Sequence, residues 1–229
     1  MKDKLRVIIT GATGMVGEGV LYECLNHPNV EKILVITRHS CGYKHPKLVE
    51  IIHSDFFDFS TIETQLTGYN ACYFCLGVTS LGKNEAEYRR LTYTLTINFA
   101  KILVKLNPEM TFCYVSGAGT DSSEKGRSMW ARVKGKTEND LIKLPFKQTY
   151  NFRPAGIKPF LPLKPSQTFY KTYKYVAWLF PVMEVIAPNL VINLKDLARA
   201  IINSSLAGYS SNILEVKDIK LLANVKIEE

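Results

Sequence analysis

Long apolar runs are missing from this chain. No uninterrupted hydrophobic stretch in its 229 residues approaches the roughly 18 that a membrane-spanning helix requires, so no transmembrane segment is expected. The apolar run after the charged Met1-Lys2-Asp3-Lys4 is brief, which argues against a secretory leader. Cysteines are few: five, an odd number at irregular spacing. That disfavours a disulfide framework and suits a reducing cytoplasm, the expected location. Cys72 and Cys75 form a C-x-x-C, but Ala71 to Leu76 has the pattern of a strand. Residues three apart on a strand face opposite sides, so neither a redox pair nor a metal site is expected. Internal repeats and low-complexity segments are also lacking. The net charge of +8 favours anionic partners, yet its lysines and arginines are spread along the chain. Without a basic block, nucleic acid is not the expected partner. A chain of this length buries on the order of 70% of its unfolded surface and needs no metal or disulfide staple.

What is present is a glycine-rich turn, Thr10-Gly11-Ala12-Thr13-Gly14-Met15-Val16-Gly17. Before it, Leu5 to Ile9 is short, apolar and β-branched, which predicts a buried strand. After it, Val16, Val20, Leu21, Cys24 and Leu25 recur at helical spacing up to Asn26. Strand, glycine turn and helix in that order make an anion site from unpaired first-turn N–H groups and the positive end of the helix dipole. Gly11 permits the sharp turn, Gly14 leaves room for a pyrophosphate, and Gly17 lets the helix lie close to the sheet. The dinucleotide contacts expected here are Gly11, Thr13, Gly14, Met15, Val16 and Gly17.

Further strands are predicted at Lys32–Thr37, Leu48–His53, Asn70–Leu76, Thr111–Ser116 and Gln148–Phe152, with a last one at Ile213–Val216. Helices are predicted over residues 60 to 66, from Asn84 to Leu106, from Arg127 or Ser128 to about Lys143, and from Asn193 as the last amphipathic helix. Such alternation implies a Rossmann-type α/β fold, a doubly wound parallel sheet with helices on both faces. The whole of residues 1–229 is expected to be one domain, with 157–190 as a small substrate-side insertion. In that insertion Val176, Leu179, Phe180, Met183 and Ile186 form an apolar helix face, expected as core or a subunit contact in a homodimer. A shallow membrane-surface helix is the less favoured alternative.

In dinucleotide folds an acidic residue after the second strand binds the ribose 2′-hydroxyl of NAD, and an arginine accommodates the 2′-phosphate of NADP. Here the strand ends at Arg38, so NADP is expected ahead of NAD. Asp55 and Phe56 follow the third strand, where they either border the adenine or, for Asp55, start a helix. Leu76 and Gly77 end the fourth strand and are expected to border the nicotinamide half.

Several motifs together resemble the short-chain dehydrogenase/reductase superfamily in its extended or atypical, NAD-dependent epimerase/dehydratase-like form. They are T-G-A-T-G-M-V-G at residues 10 to 17, Y-V-S-G at 114 to 117, V-K-G-K-T-E at 133 to 138 and F-R-P-A-G at 152 to 156. Asn193 to Ala200 is similar to the segment before the last helix of sugar-nucleotide epimerases. C-L-G-x-T at 75 to 79 and G-K at 82 and 83 resemble the branch of the Tat-interacting oxidoreductase homologue. The resemblance implies NADP(H)-dependent oxidoreductase or epimerase-like chemistry on a small molecule. It also implies cofactor contacts at Lys134, Arg153 and Pro154, a catalytic serine at Ser116 and a lysine at Lys134. The family's tyrosine stands four residues before that lysine, on the same helix face, and here the position is Trp130. An indole N–H does not ionise in the useful range and cannot be a tuned general acid. Three readings stay open. Tyr88, Tyr150, Tyr170 or Tyr173 supplies the proton; water or Ser116 relays it; or the protein binds cofactor without turnover, as a regulatory or scaffold protein.

Overall fold

The computed structural model describes residues 4–161, 178 and 180–227. Among the described residues nine strands alternate with helices: β1 Leu5–Thr10, α1 Met15–Asn26, β2 Val30–Thr37, β3 Leu48–Ile52 and β4 Ala71–Phe74. After these come α2 Glu85–Arg89, α3 Leu95–Leu106, β5 Thr111–Val115, α4 Met129–Ile142, β6 Gln148–Arg153 and β7 Gly156–Lys158. The chain continues through α5 Phe180–Ile186, β8 Val191–Asn193, α6 Leu194–Ala207, β9 Ile213–Glu215 and α7 Val216–Ala223. Seven strands form one parallel sheet in the order β3-β2-β1-β4-β5-β6-β9, while β7 and β8 pair separately. The strand order reverses between β1 and β4. In open α/β sheets such a reversal opens a crevice at the carboxyl ends of the two strands.

Alternation along the strands divides the core in two. Val7 and Ile9 of β1 and Tyr73 of β4 pack with Val20, Leu21 and Cys24 of α1 and Leu197 and Ile201 of α6. Ile8, Cys72 and Phe74 point the other way, onto Leu95, Phe99 and Leu103 of α3. Cys72 thus lies in one core and Cys75 packs against the other, as strand geometry requires. Among the described residues no group of side chains could hold a metal ion, and no helix is long and apolar enough to cross a membrane.

Local signals mark most of the helix starts. The Asn84 side chain accepts from the Glu87 N–H at 2.9 Å and the Asn193 side chain from Lys195 at 2.9 Å, both N-caps. Ser128 occupies the N-cap of α4.

Four expectations need correction. The helix over residues 60 to 66 is a single 3-10 turn, Glu63–Leu66. Asp55 and Asp58 bond the N–H groups two residues on, at 2.8 and 2.9 Å, which holds turns rather than a helix entry. The helix from Asn84 to Leu106 contains a π-helical turn, Arg90–Thr94. The helix begun at Asn193 is followed by another, because Val216 opens α7 rather than ending β9. Glu215 and Asp218 build a capping box there, which terminates the strand. On α5, Phe180 and Met183 are half-buried while Ile186 is exposed, so of the two expectations for this apolar face, closed core is the one that gives way, and a subunit contact is left as the other. Val176 and Leu179 lie outside the described residues.

Close backbone approach makes a side chain at Gly17 costly. A Cβ at Gly17 would fall inside the van der Waals shell of the Gly11 carbonyl, whereas one at Gly77 meets nothing within 4 Å. We expect Gly17→Ala to cost about 1–3 kcal/mol, as overpacking against backbone does. Gly77→Ala should stay within about 0.5 kcal/mol. Urea unfolding of the two variants checks the contrast.

Candidate functional site

The glycine turn lies across the switch point. Gly11 has φ +74°, and a Cβ there would stand 2.7 Å from the Cys75 carbonyl carbon and 2.8 Å from the Leu76 nitrogen. Only glycine allows the turn to rest on the end of β4. The Gly14 N–H donates to Gly11 O at 2.9 Å and Gly14 O accepts from Glu18 at 2.8 Å. Gly14 is the N-cap of α1, extended and without a side-chain cap. The first-turn N–H groups of Met15, Val16 and Gly17 therefore lack the usual intramolecular capping partner, which is the arrangement that receives a phosphate. Thr13 and Gly14 are exposed. Met15 and Val16 pack their side chains on the core, so what they offer the crevice is backbone.

Arg38 follows the end of β2 and is exposed. The turn there is shaped by the Thr37 hydroxyl donating to His39 O at 2.8 Å. Asp55 is exposed, but the Phe56 ring is buried against Phe59 in an edge-on contact of 5.7 Å. That ring belongs to the core, so at the border expected of this pair with the adenine Phe56 offers backbone rather than its ring. Leu76 is half-buried and Gly77 exposed, next to the turn at Gly11.

Ser116 follows β5 and is buried. Its oxygen lies 2.5 Å from Glu138 Oε1 and 3.0 Å from Phe152 O. The single hydroxyl proton therefore faces two interior acceptors. Glu138 is 0% exposed, a position where a charge survives only if paired. The partner is Arg153: Nε lies 3.1 and 3.2 Å from the two Glu138 oxygens, and Nη2 also meets Oε2. Arg153 also donates to Glu215 at 3.1 Å and Ser122 at 2.6 Å. Each of its nitrogens is thus committed inside the protein. This corrects the cofactor contact expected of Arg153, whose guanidinium neutralises a buried carboxylate instead. Pro154 is buried too, and its carbonyl accepts from Ala118 at 2.8 Å, bracing the loop after β5.

Lys134 is on α4 and donates its Nζ to Ser116 O. Burial pushes its ammonium down to about 8, with Glu138 pulling the other way. Gly135 matters beside it: a Cβ there would collide with the Asp121 carbonyl, so glycine lets α4 press on the loop after β5. Trp130, one turn earlier, lies against Gly119, its ring 3.4 Å from where a Cβ would be. Of the candidate tyrosines, the two among the described residues, Tyr88 and Tyr150, do not replace the missing acid. Tyr88 is buried, and burial raises its pKa. Tyr150 is also buried, and its oxygen accepts from the Tyr209 N–H at 2.8 Å on the α6 side of the sheet. Tyr170 and Tyr173 lie outside the described residues.

The structure thus brings the glycine turn, Leu76 and Gly77 together at the switch point, and Ser116, Lys134 and Trp130 around the end of β5. It keeps Phe56 and Arg153 inside. Glu138 and Glu215 carry no role in the sequence reading. One signal existed for Glu138, because it shares the face of Lys134 with Val133, Thr137 and Leu141 on the buried side of α4.

A lysine lowered in the native state binds its proton more tightly when unfolded. Its burial therefore opposes folding while both states are charged, and that opposition fades as pH rises through about 8 towards the ordinary 10.5. We expect wild-type protein to gain stability relative to Lys134→Met between pH 8 and pH 10. Urea midpoints measured across that range check it, and a constant difference would show the ammonium to be solvated.

No family model matches the chain. It is similar to the protein FMP52, mitochondrial, of Candida albicans, 27% identical over 157 residues and 67% of each chain. The FMP52-2 protein, mitochondrial, of Scheffersomyces stipitis is 30% identical over 150 residues and 64% of each. The matched stretch is about two thirds of these relatives' length. Their names overturn the cytoplasmic expectation and point to mitochondria. Cysteine usage reports a reducing setting and does not tell two such compartments apart. Among solved structures, a UDP-N-acetylglucosamine 4-epimerase from Methanobrevibacter ruminantium in complex with UDP-N-acetylmuramic acid superposes with TM-score 0.66 at 16% identity, covering 91% of this chain and 75% of that one. The Bordetella bronchiseptica enzyme WbmF in complex with NAD+ gives 0.67 at 13%, covering 96% and 78%. A short chain dehydrogenase family protein from Francisella tularensis gives 0.63 at 13%, covering 90% and 92%. What this chain shares with these epimerases and dehydrogenases, the superfamily its motifs resemble, is the Rossmann-type fold.

Proposed function

We propose that the protein is a mitochondrial member of the short-chain dehydrogenase/reductase superfamily that binds a nicotinamide dinucleotide in the crevice between β1 and β4. The observation that carries this is the glycine turn. At the switch point it presents an uncapped helix N-terminus, with room at Gly14 and backbone pressed to backbone at Gly11 and Gly17. WbmF, a structural neighbour, is in complex with NAD+, which supports the same ligand class here. When bound, the dinucleotide supplies or accepts a hydride. The chain's own part is to hold the pyrophosphate on the first turn of α1 and to place Lys134 beside the loop after β5. Arg38 favours NADP(H) over NAD(H), because a guanidinium binds the extra phosphate in a fork and a carboxylate would repel it.

The activity we infer is oxidoreductase or epimerase-like chemistry on a small molecule, with proton transfer that does not use the family's tyrosine. Trp130 stands in that place, and the Ser116 hydroxyl is directed to Glu138. In this arrangement Ser116 Oγ would take the proton of a bound alcohol and pass its own to Glu138, and a bound dinucleotide would be the hydride acceptor that such an oxidation requires. The same two observations favour a second reading, a dinucleotide-binding protein with little turnover that acts through its cofactor-bound state. Homodimer formation belongs with the proposals as well.

Fluorescence titration should show NADPH binding tighter than NADH. Arg38→Ala should narrow the gap by about tenfold, about 1.4 kcal/mol; equal affinities in the wild type sink the NADP preference. Trp130→Tyr should raise reductase turnover on a carbonyl panel by about 10²-fold or more, the usual worth of a positioned acid. Robust wild-type turnover that is indifferent to this change would place the acid elsewhere.

A further inference from the structure

At the end of α1 remote from the glycine turn, α1, α6 and the chain leaving α7 enclose a groove of about 620 Å³. That is the size of a small-ligand site. From the rise of 1.5 Å per residue, the groove lies about 15 Å along α1 from the dinucleotide crevice. α6 runs alongside α1 in the same direction: Leu194 packs against Gly19, and Arg199 reaches Glu23 at 3.4 Å. Lys195 and Arg199, four apart, share one helix face and line the groove, with Lys226 on the wall after α7.

The charges there are unbalanced. Among the described residues, Glu23 is the one carboxylate in the lining, against Lys195, Arg199 and Lys226. The ammonium groups of Lys195 and Lys226 have no ion pair or hydrogen bond among the described residues. Capping of α1 does not explain them. Lys47, behind the groove, already takes the terminal carbonyls of Leu25 and His27 at 3.3 and 2.9 Å. Burial lowers the pKa of His27, in the same lining, and Lys47 and then Arg199 lower it further. Cations held together without an acid repel one another, and a multiply charged anion relieves that repulsion.

We propose that this groove is a second ligand site, separate from the dinucleotide crevice, for a small soluble molecule carrying at least two negative charges as phosphate or carboxylate groups. Lys195 and Arg199 hold the anion from one helix face and Lys226 closes on it from the opposite wall. Such binding weakens with salt, because the groove is open to solvent and its charges are screened.

The test is calorimetric titration of the full chain at low ionic strength with inorganic pyrophosphate as the probe. Citrate and vesicles containing phosphatidic acid serve as parallel arms, and NADPH is present so that the glycine turn is filled. Saturable binding of pyrophosphate or citrate is expected. It should weaken about tenfold or more in Lys195→Ala/Arg199→Ala and tighten in Glu23→Gln, with NADPH affinity and melting temperature unchanged. No saturable binding of either probe, undiminished binding in the double variant, or binding to vesicles alone overturns the proposal. Failure of the wild type to bind NADPH overturns the crevice assignment instead. The groove is then judged on the same variants without cofactor.

Discussion

The buried pair between Glu138 and Arg153 is the constraint on which the rest of the site depends. An isolated carboxylate at zero exposure would cost several kcal/mol, and the guanidinium that offsets this must itself be satisfied. Arg153 meets that demand by reaching Glu215 and Ser122 as well. One side chain therefore ties the end of β6 to α4, to the loop after β5 and to the capping box that begins α7. Ser116 is drawn into the same network by its short contact with Glu138, and Lys134 sits on the Ser116 carbonyl. The mouth of the crevice is positioned by an interior electrostatic cluster.

A different kind of contact builds the other half of the crevice. Around the glycine turn there are few polar side chains, and the geometry comes from backbone pressed on backbone at Gly11 and Gly17. The two halves meet at the switch point, where β1 and β4 run side by side. One half is specified by the absence of side chains and the other by four ionic ones, Lys134, Glu138, Arg153 and Glu215. That difference underlies the proposed function: the glycine half is suited to holding an anion, while the ionic half holds the Ser116 hydroxyl among interior acceptors.

Much of the fold was legible because its determinants are local. A strand pattern of period two and a helix pattern near 3.6 are written in neighbouring residues. So are the caps at Asn84, Ser128 and Asn193. Where local signals competed, the reading failed. The side chains of Asp55 and Asp58 turned an expected helix into turns, and the capping box at Glu215 claimed Val216 for α7. The compartment was misread for another reason, since cysteine usage reflects redox conditions that are shared by more than one compartment.

The sequence by itself determined the doubly wound sheet, the place of the glycine turn on it and the missing tyrosine at Trp130. Each rests on residues a few positions apart. Only the tertiary structure decided that Arg153 faces inward, that Phe56 is core and that the Ser116 hydroxyl is held between Glu138 and the Phe152 carbonyl. Those outcomes depend on partners 22 residues apart for Ser116 and Glu138 and 62 apart for Arg153 and Glu215. No local pattern encodes such pairings; burial forces them, because a charge taken out of water must find its counter-charge wherever the fold has brought it.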